Sequence, residues 1–378
     1  MIPVINASFI TVYSIWTDYL LCFYIITMAS TLRPPRRTAL LVGINYNNNP
    51  DATLNGCYND VVNVAQYLRS TLGYAPDAIS ILTDGNRGAT GAGTASALPP
   101  TRQNIISGIT ALVAGMIAGD EAVFHYSGHG SLVRDTNGDE ASGFDSCLCP
   151  VDYATPASAG GGIITDDEIR ALLINKVPRG ARLYAILDCC HNGTGCDIRY
   201  KYEDFSVLMS PPSARTPLWR TMQRAFTNPK YTETAGDVYM ISGCRDEQTS
   251  ADAYINNAFA GALTYAVFSI LRANQATIRS YSWSTLLRDV RHFMRVNRYT
   301  QIPQLMTGQL ITPARPVFTQ FAATTATATA SAPARGLLLE ANTGISSRGV
   351  SHDKGSTLFH FIPKSGSFDK CINIQFIH

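Results

Sequence analysis

The chain has 378 residues, 46% of them hydrophobic and 15% charged, with a formal net charge of +2. That length and apolar fraction suffice for a large buried core, in one large domain with extensions or in two domains. No polybasic run or acidic tail stands out, so the charge implies no nucleic-acid or membrane partner.

Residues 1–35 form a hydrophobic and basic extension: between Ile2 and Ser30 the only charge is Asp18, and "YLLCFYIITMAS" runs into "RPPRR". That order fits a signal anchor with a basic stop flank, which leaves the downstream domain facing the cytosol. Against it, the segment carries Asn6, Asp18 and several hydroxyls, lacks a basic start and a cleavage site, and Met28 offers a later start. The default expectation is a cytoplasmic protein with an incidental extension, and a membrane tether through residues 2–30 is the minority alternative.

"TALLVGINY" (38–46), an apolar run ending in Gly43, reads as a buried strand, and "CYNDVVNVAQYLRSTLGY" after it as a helix, with Val61, Val64, Leu68 and Leu72 at helical spacing and Asn59 or Asp60 as N-cap. "DAISILTD" (77–84) is a second strand, and "TRQNIISGITALVAGMIAG" a second helix capped by Thr101. "DEAVFHYSGHG" (120–130) and "ARLYAILDCC" (181–190) are strands running into turns, separated by a polar stretch that ends in the helix signal "ITDDEIRALL". "DVYMISGC" (237–244) is a fifth strand, followed by the helices "AFAGALTYAVFSILRA" and "SWSTLLRDVRHFMRV" and a last strand near 304–311. Nearly continuous apolar strands alternating with helices predict a three-layer α/β domain over 36–315, with a mainly parallel sheet of six strands or slightly more covered on both faces. Residues 316–335, which include "FAATTATATASAPAR", read as a linker, and 336–378 as an irregular tail.

The chemistry concentrates at two strand ends, "HYSGHG" and "LDCCHNG". In an open parallel sheet the loops at the carboxyl edge face a crevice while the strands fix their position. If these strands are neighbours, His129 and Cys190 face each other there. A thiol and an imidazole are the minimal apparatus for nucleophilic attack on a carbonyl. The adjoining glycines let substrate approach and leave the N–H groups of Gly130 and Cys190 to bind a developing oxyanion. The nine cysteines are odd in number and crowd toward the middle of the chain, as in a reducing compartment with free thiols, most of them small buried hydrophobes. A thiol phosphatase needs an Arg six positions after its Cys, where this chain has Cys196 or Gly195. A zinc site is disfavoured because adjacent cysteines point to opposite faces of a strand and no C-x2-C pair occurs.

"ALLVGINY", "LNGCYNDV", "HYSGHG", "CPVDY" and "LDCCHNG", in that order, resemble the type I metacaspases of the caspase-like clan of cysteine peptidases, over about residues 36–315. The resemblance implies a caspase-like fold, His129 as catalytic histidine, Cys190 as nucleophile, and Cys189 pointing into the sheet or lining the pocket floor. It also brings Asp60 beside Asp188, with Cys57 and Ser127 on the pocket wall. Two carboxylates in a narrow pocket select a cationic side chain and reject an acidic one, so cleavage after Arg or Lys follows. By the same resemblance Asp145, Asp166, Asp167 and Asp197 bind Ca²⁺, for which hard oxygens from separate loops are suited. Asp166 and Asp167 also fit as first-turn acids of a helix, and "DTNGDE" (135–140) looks like a calcium loop but reads as a hairpin turn.

The chain departs from the family pattern at Asn192, where Ser is usual, which puts the loop conformation in question. Arg199, Lys201, Arg215, Arg220, Arg224 and Lys230 follow the catalytic turn, where an enzyme cutting after basic residues can cut itself. The expectation is a calcium-activated cysteine endopeptidase acting on protein or peptide substrates through an acyl-enzyme, without a nucleic-acid partner and, by the resemblance, monomeric. The alternative from another class is a caspase-like scaffold that binds calcium and partners without turnover.

Overall fold

The structure is a computed structural model, and it describes residues 33–85, 98–138, 140, 143–189, 195–202, 225–243, 251–255, 258–278, 280–312, 314–318 and 368–369. The expected extension at 1–32 and nearly all of the linker and tail lie outside the described residues, as does the segment 2–30 of the possible tether. Among the described residues no helix is long and apolar enough to cross a membrane.

An eight-stranded sheet in the order β2-β1-β3-β7-β10-β13-β8-β9 organises the domain. Its parallel part comprises β1 (Arg37–Gly43), β2 (Ile79–Thr83), β3 (Glu121–Ser127), β7 (Arg182–Asp188) and β10 (Asp237–Ser242). These are the five strands expected from the apolar runs. β13 (Gln304–Thr307), β8 (Tyr200–Tyr202) and β9 (Ala225–Thr227) extend it antiparallel. The last two are three residues each, too short for an alternation to register in the sequence. A smaller sheet is formed by β4 (Gly130–Arg134), β5 (Phe144–Leu148) and β6 (Ile164–Thr165), and the 135–140 stretch is the expected hairpin turn between the first two. β11 (Ala251–Ile255) and β12 (Ala258–Gly261) form a further hairpin, and β12 takes the first four residues of the segment read as a helix from Ala258.

Alternation along the strands sorts the core into two layers. Ala39, Leu41, Val123, Tyr184 and Ile241 pack with α1 (Cys57–Ser70), α4 (Ala262–Ala273) and α5 (Trp283–Val296), whereas Leu40, Val42, Phe124, Leu183 and Met240 pack with α2 (Arg102–Val113) and α3 (Asp166–Leu172). α5 shows how the pattern drives this: Trp283, Leu286, Leu287, Val290 and Met294 are buried at helical spacing on one stripe. Burying each such large apolar side chain contributes about 2 kcal/mol. Thr101 caps α2 through its hydroxyl, as expected, and Ser282 caps α5 in the same way.

The expected N-cap at Asn59 or Asp60 is not formed. α1 starts at Cys57 after Gly56, so Asp60 lies inside the first turn, with its carboxylate directed across the sheet edge rather than to its own backbone. Gly43, where β1 ends, permits that approach. A Cβ there sits 2.2 Å from Val61 Cγ2 and 2.4 Å from the Cys57 carbonyl oxygen. Gly43→Ala is therefore expected to lower folding stability by about 3 kcal/mol, read by denaturant unfolding, because backbone cannot yield as a flexible side chain can.

Candidate active site

β1 connects to β2 on one side and the chain then returns to β3 on the other, so the strand order reverses around β1. Loops leaving the carboxyl ends part at such a point and open a crevice. β3 and β7 are indeed neighbours, parallel over seven residue pairs with Ser127 opposite Asp188, and Gly43 lies opposite Ser127 on the other flank. The two motif-bearing strand ends thus share one edge.

After β3 the chain turns through Gly128, and a Cβ at that glycine would meet Tyr126 Oη at 2.8 Å. His129 follows, 2% exposed. Its backbone N–H donates to Tyr46 Oη at 2.9 Å, and its carbonyl accepts from Tyr126 Oη at 2.8 Å and from Cys149 N at 3.1 Å. The ring nitrogen Nε2 is 2.7 Å from the Ala52 carbonyl oxygen. A carbonyl can only accept, so Nε2 carries the proton and the lone pair of the neutral ring is on Nδ1. That tautomer equips Nδ1 to take a proton from a thiol. The Cys149–His129 bond also fixes the ladder phase between β4 and β5, placing Gly130 opposite Leu148 at a non-hydrogen-bonded position with its N–H turned away from β5.

Cys190 and the turn to Thr194 lie outside the described residues. Cys189, the residue before, is fully buried in the α2/α3 layer beside Leu187, as expected of the inward member of an adjacent pair. Cys57, Cys147, Cys149 and Cys196 are likewise buried free thiols. Burial pushes the Cys196 thiol well above its ordinary pKa, with Asp166 and Asp197 adding to the rise, which disfavours its thiolate.

The two carboxylates that the resemblance assigns to a pocket, Asp60 and Asp188, come together on the α1/α4 face. Asp60 and Asp188 are both fully buried. Asp60 accepts from Ser127 Oγ at 2.6 Å, and the Gly261 N–H lies 3.0 Å from each of its oxygens. Asp188 Oδ2 accepts from the Thr264 N–H at 2.9 Å. Gly261 and Thr264 are the N-cap and third residue of α4, so the positive end of one helix faces both acids. Sequence reasoning missed this support; the glycine before "ALTYAVF" was its only signal. Of the two residues expected on the pocket wall, Ser127 touches Asp60, whereas Cys57 is buried in the apolar layer on the sheet's other face.

The second acidic set is partly as expected. Carboxylate oxygens of Glu140, Asp166 and Asp197 lie within 4.8 Å of one another. Asp166 accepts from Ser146 N at 2.9 Å and from Asp167 N at 3.1 Å, and Thr165 rather than either aspartate caps α3. Burial first, then Asp197, with Asp145 and Glu140 adding, raises the Asp166 pKa to about 9. Asp167 instead accepts from Asn137 Nδ2 at 2.6 Å on the hairpin turn. Glu140 was not anticipated, although it closes the "DTNGDE" segment whose likeness to a calcium loop had been set aside.

Comparison with known proteins agrees with this architecture. Residues 37–199 match the profile of the metacaspase peptidase C14 domain. The chain is 35% identical over 299 residues to Metacaspase-1 of Yarrowia lipolytica, covering 71% of this chain and 61% of that protein. It is 36% identical over 305 residues to Metacaspase-1 of Mycosarcoma maydis, covering 73% of this chain and 71% of that protein. Against Metacaspase-1A of Neurospora crassa it is 35% identical over 306 residues, covering 73% of this chain and 63% of that protein. The three-layer domain with its crevice at the ends of β1, β3 and β7 has a caspase-like α/β architecture. The chain belongs to the metacaspase family and within it resembles the type I members.

Proposed function

We propose that the protein is a cysteine endopeptidase that cleaves polypeptides after Arg or Lys, with Cys190 as nucleophile and His129 as its base. The observation that supports this reading is the pair of fully buried carboxylates, Asp60 and Asp188, gathered at the ends of β3 and β7 just before the turn that carries His129, whose Nε2 meets the Ala52 carbonyl. His129 Nδ1 takes the Cys190 proton, the thiolate attacks the scissile carbonyl, and the Gly130 N–H, with that of Cys190, receives the oxyanion. The imidazolium then protonates the leaving amine, and water releases the acyl group by the reverse sequence. Asp60 and Asp188 hold the cationic side chain before the scissile bond and repel an acidic one. Purified protein is expected to hydrolyse Arg- and Lys-terminated fluorogenic peptides and to leave Asp-terminated ones intact; the opposite preference overturns the assignment.

We further propose that Ca²⁺ activates it through Asp166, Asp197 and Glu140, with Asp145 and Asp167 alongside. Several like charges around a buried carboxyl call for a cation, and hard oxygens suit Ca²⁺. Bound there, the ion draws the segment after the catalytic turn onto the 140 and 166 segments. Asp166 sets the pH dependence: with its folded pKa at about 9, above the ordinary carboxylate value, folding takes up a proton at intermediate pH. Without cation, stability is therefore expected to fall as pH rises toward about 9, by up to about 1.4 kcal/mol per pH unit from this group. Calcium is expected to flatten that slope and to release a proton on binding, read by calorimetry in buffers of different ionisation enthalpy. Asp166→Asn, which holds no proton to release, removes both effects.

The outer edge of β13 is covered by β8 and β9, which supports a monomer. Self-cleavage after a basic residue is part of the same reading. Arg199 donates to the Tyr231 carbonyl and Lys201 lies within β8, while Arg215, Arg220 and Arg224 are outside the described residues. A cytoplasmic location, in keeping with reduced thiols, completes the proposal.

A further inference from the structure

Resting on the proteolytic reading above, we propose that Tyr46 is a positioning residue for His129, fixing both the backbone of the histidine and the carbonyl that sets its tautomer. The sequence gives Tyr46 no role beyond its place in the "ALLVGINY" motif; β1 ends at Gly43, where the apolar run does, and Tyr46 stands beyond it with φ +55°. A bulky side chain rarely adopts that left-handed backbone, where Asn or Gly is at ease. Nor is the residue retained there for surface reasons, since it is 1% exposed.

What the phenol reaches accounts for it. Its hydroxyl accepts the His129 N–H at 2.9 Å and donates to the Cys149 carbonyl at 2.5 Å, tying the histidine turn to the residue that follows β5. The Tyr126 hydroxyl, 3.3 Å away, holds the His129 carbonyl, so both backbone polar groups of the histidine rest on phenols. The Tyr46 ring lies against the imidazole, centroids 4.6 Å apart at a 40° tilt. The backbone acts as well. The Tyr46 carbonyl accepts from Asn49 N at 2.9 Å, and Asn49 in turn accepts from Ala52 N at 3.0 Å, closing the turn that presents the Ala52 carbonyl to Nε2. The left-handed kink at Tyr46 starts that turn and aims the ring back at the histidine. An error of about 1 Å in a general base is costly, because proton transfer needs hydrogen-bond reach.

Tyr46→Phe keeps the ring and removes the hydroxyl, leaving the His129 N–H without its acceptor. The expected result is a kcat lower by about 10-fold with KM changed less than two-fold, together with a shifted pH profile, since the base rather than the substrate pocket is displaced. The imidazole carbon and nitrogen shifts of His129, read by NMR of the full chain, are expected to show the Nε2–H tautomer in the unsubstituted protein and a mixture in Tyr46→Phe. This readout needs no turnover: a chain without peptidase activity defeats the proteolytic reading, and the tautomer still decides the role of Tyr46. Unchanged His129 shifts in Tyr46→Phe, or a full kcat with the same pH profile, overturn the proposal. A variant that only unfolds at lower temperature while its folded fraction retains kcat and tautomer assigns Tyr46 to packing and overturns it equally.

Discussion

Replacing Cys190 by Ala is expected to lower turnover of an Arg-terminated peptide by at least about 10⁴-fold, with the fold and its thermal transition retained. Without the sulfur no acyl-enzyme forms, and what is left is attack by water in a pocket that only orients the substrate. His129→Ala is expected to cost a similar factor, and the double variant little more than either single one, because thiol and imidazole act as a unit. Cys189→Ala is the control that gives this result its meaning. Cys189 is fully buried among Leu187, Tyr126 and Cys196 in the α2/α3 layer. Its loss leaves a small cavity, at a cost of about 1 kcal/mol, and folded protein is expected to keep its activity. If Cys189→Ala abolishes turnover and Cys190→Ala does not, the nucleophile has been assigned to the wrong sulfur.

Asp188→Asn is expected to lower kcat/KM for Arg and Lys peptides by about 10²–10³-fold and to narrow the preference over neutral side chains. A buried ion pair that loses one partner costs roughly 3–5 kcal/mol, and each 1.4 kcal/mol is a factor of ten. Asparagine is the informative substitution, since its amide oxygen still accepts the Thr264 N–H that now reaches Asp188 Oδ2 at 2.9 Å. Asp188→Leu leaves that donor buried and unpaired, an added penalty of about 1–3 kcal/mol that confuses specificity with stability. Steady-state kinetics on matched Arg, Lys and Gln peptides separate the two. An undiminished Arg preference in Asp188→Asn excludes this residue from the pocket floor.

The parallel strands and the α5 stripe were legible because each is long enough for its period to repeat, and the cap at Thr101 because its chemistry is local. The His129 and Asp188 strand ends were legible for the same reason, as apolar runs that stop at polar residues. What escaped is non-local. Spacing alone read Asp60 as a helix cap, and only the resemblance brought it beside Asp188; its partners, Ser127 and Gly261, come from 67 and 201 residues away. Glu140 joins Asp166 and Asp197 only when the β4–β5 hairpin folds over α3, and no spacing within "DTNGDE" reports that. The Ala52 carbonyl has no signature at all, because a backbone acceptor is present at every residue. Tyr46 likewise gave no local signal, since its partners His129 and Cys149 come from 83 and 103 residues away.

Active-site labelling tests the central claim most directly, that the Cys190 thiol and the His129 ring meet over a groove whose floor is anionic. The full chain is treated with an arginyl acyloxymethyl ketone, with calcium or with chelator, and the modified peptide is mapped. The account predicts one adduct, on Cys190, formed with calcium, suppressed in His129→Ala and in Asp188→Asn, and absent with an aspartyl analogue. An adduct on another cysteine, or equal labelling by the arginyl and aspartyl reagents, contradicts it.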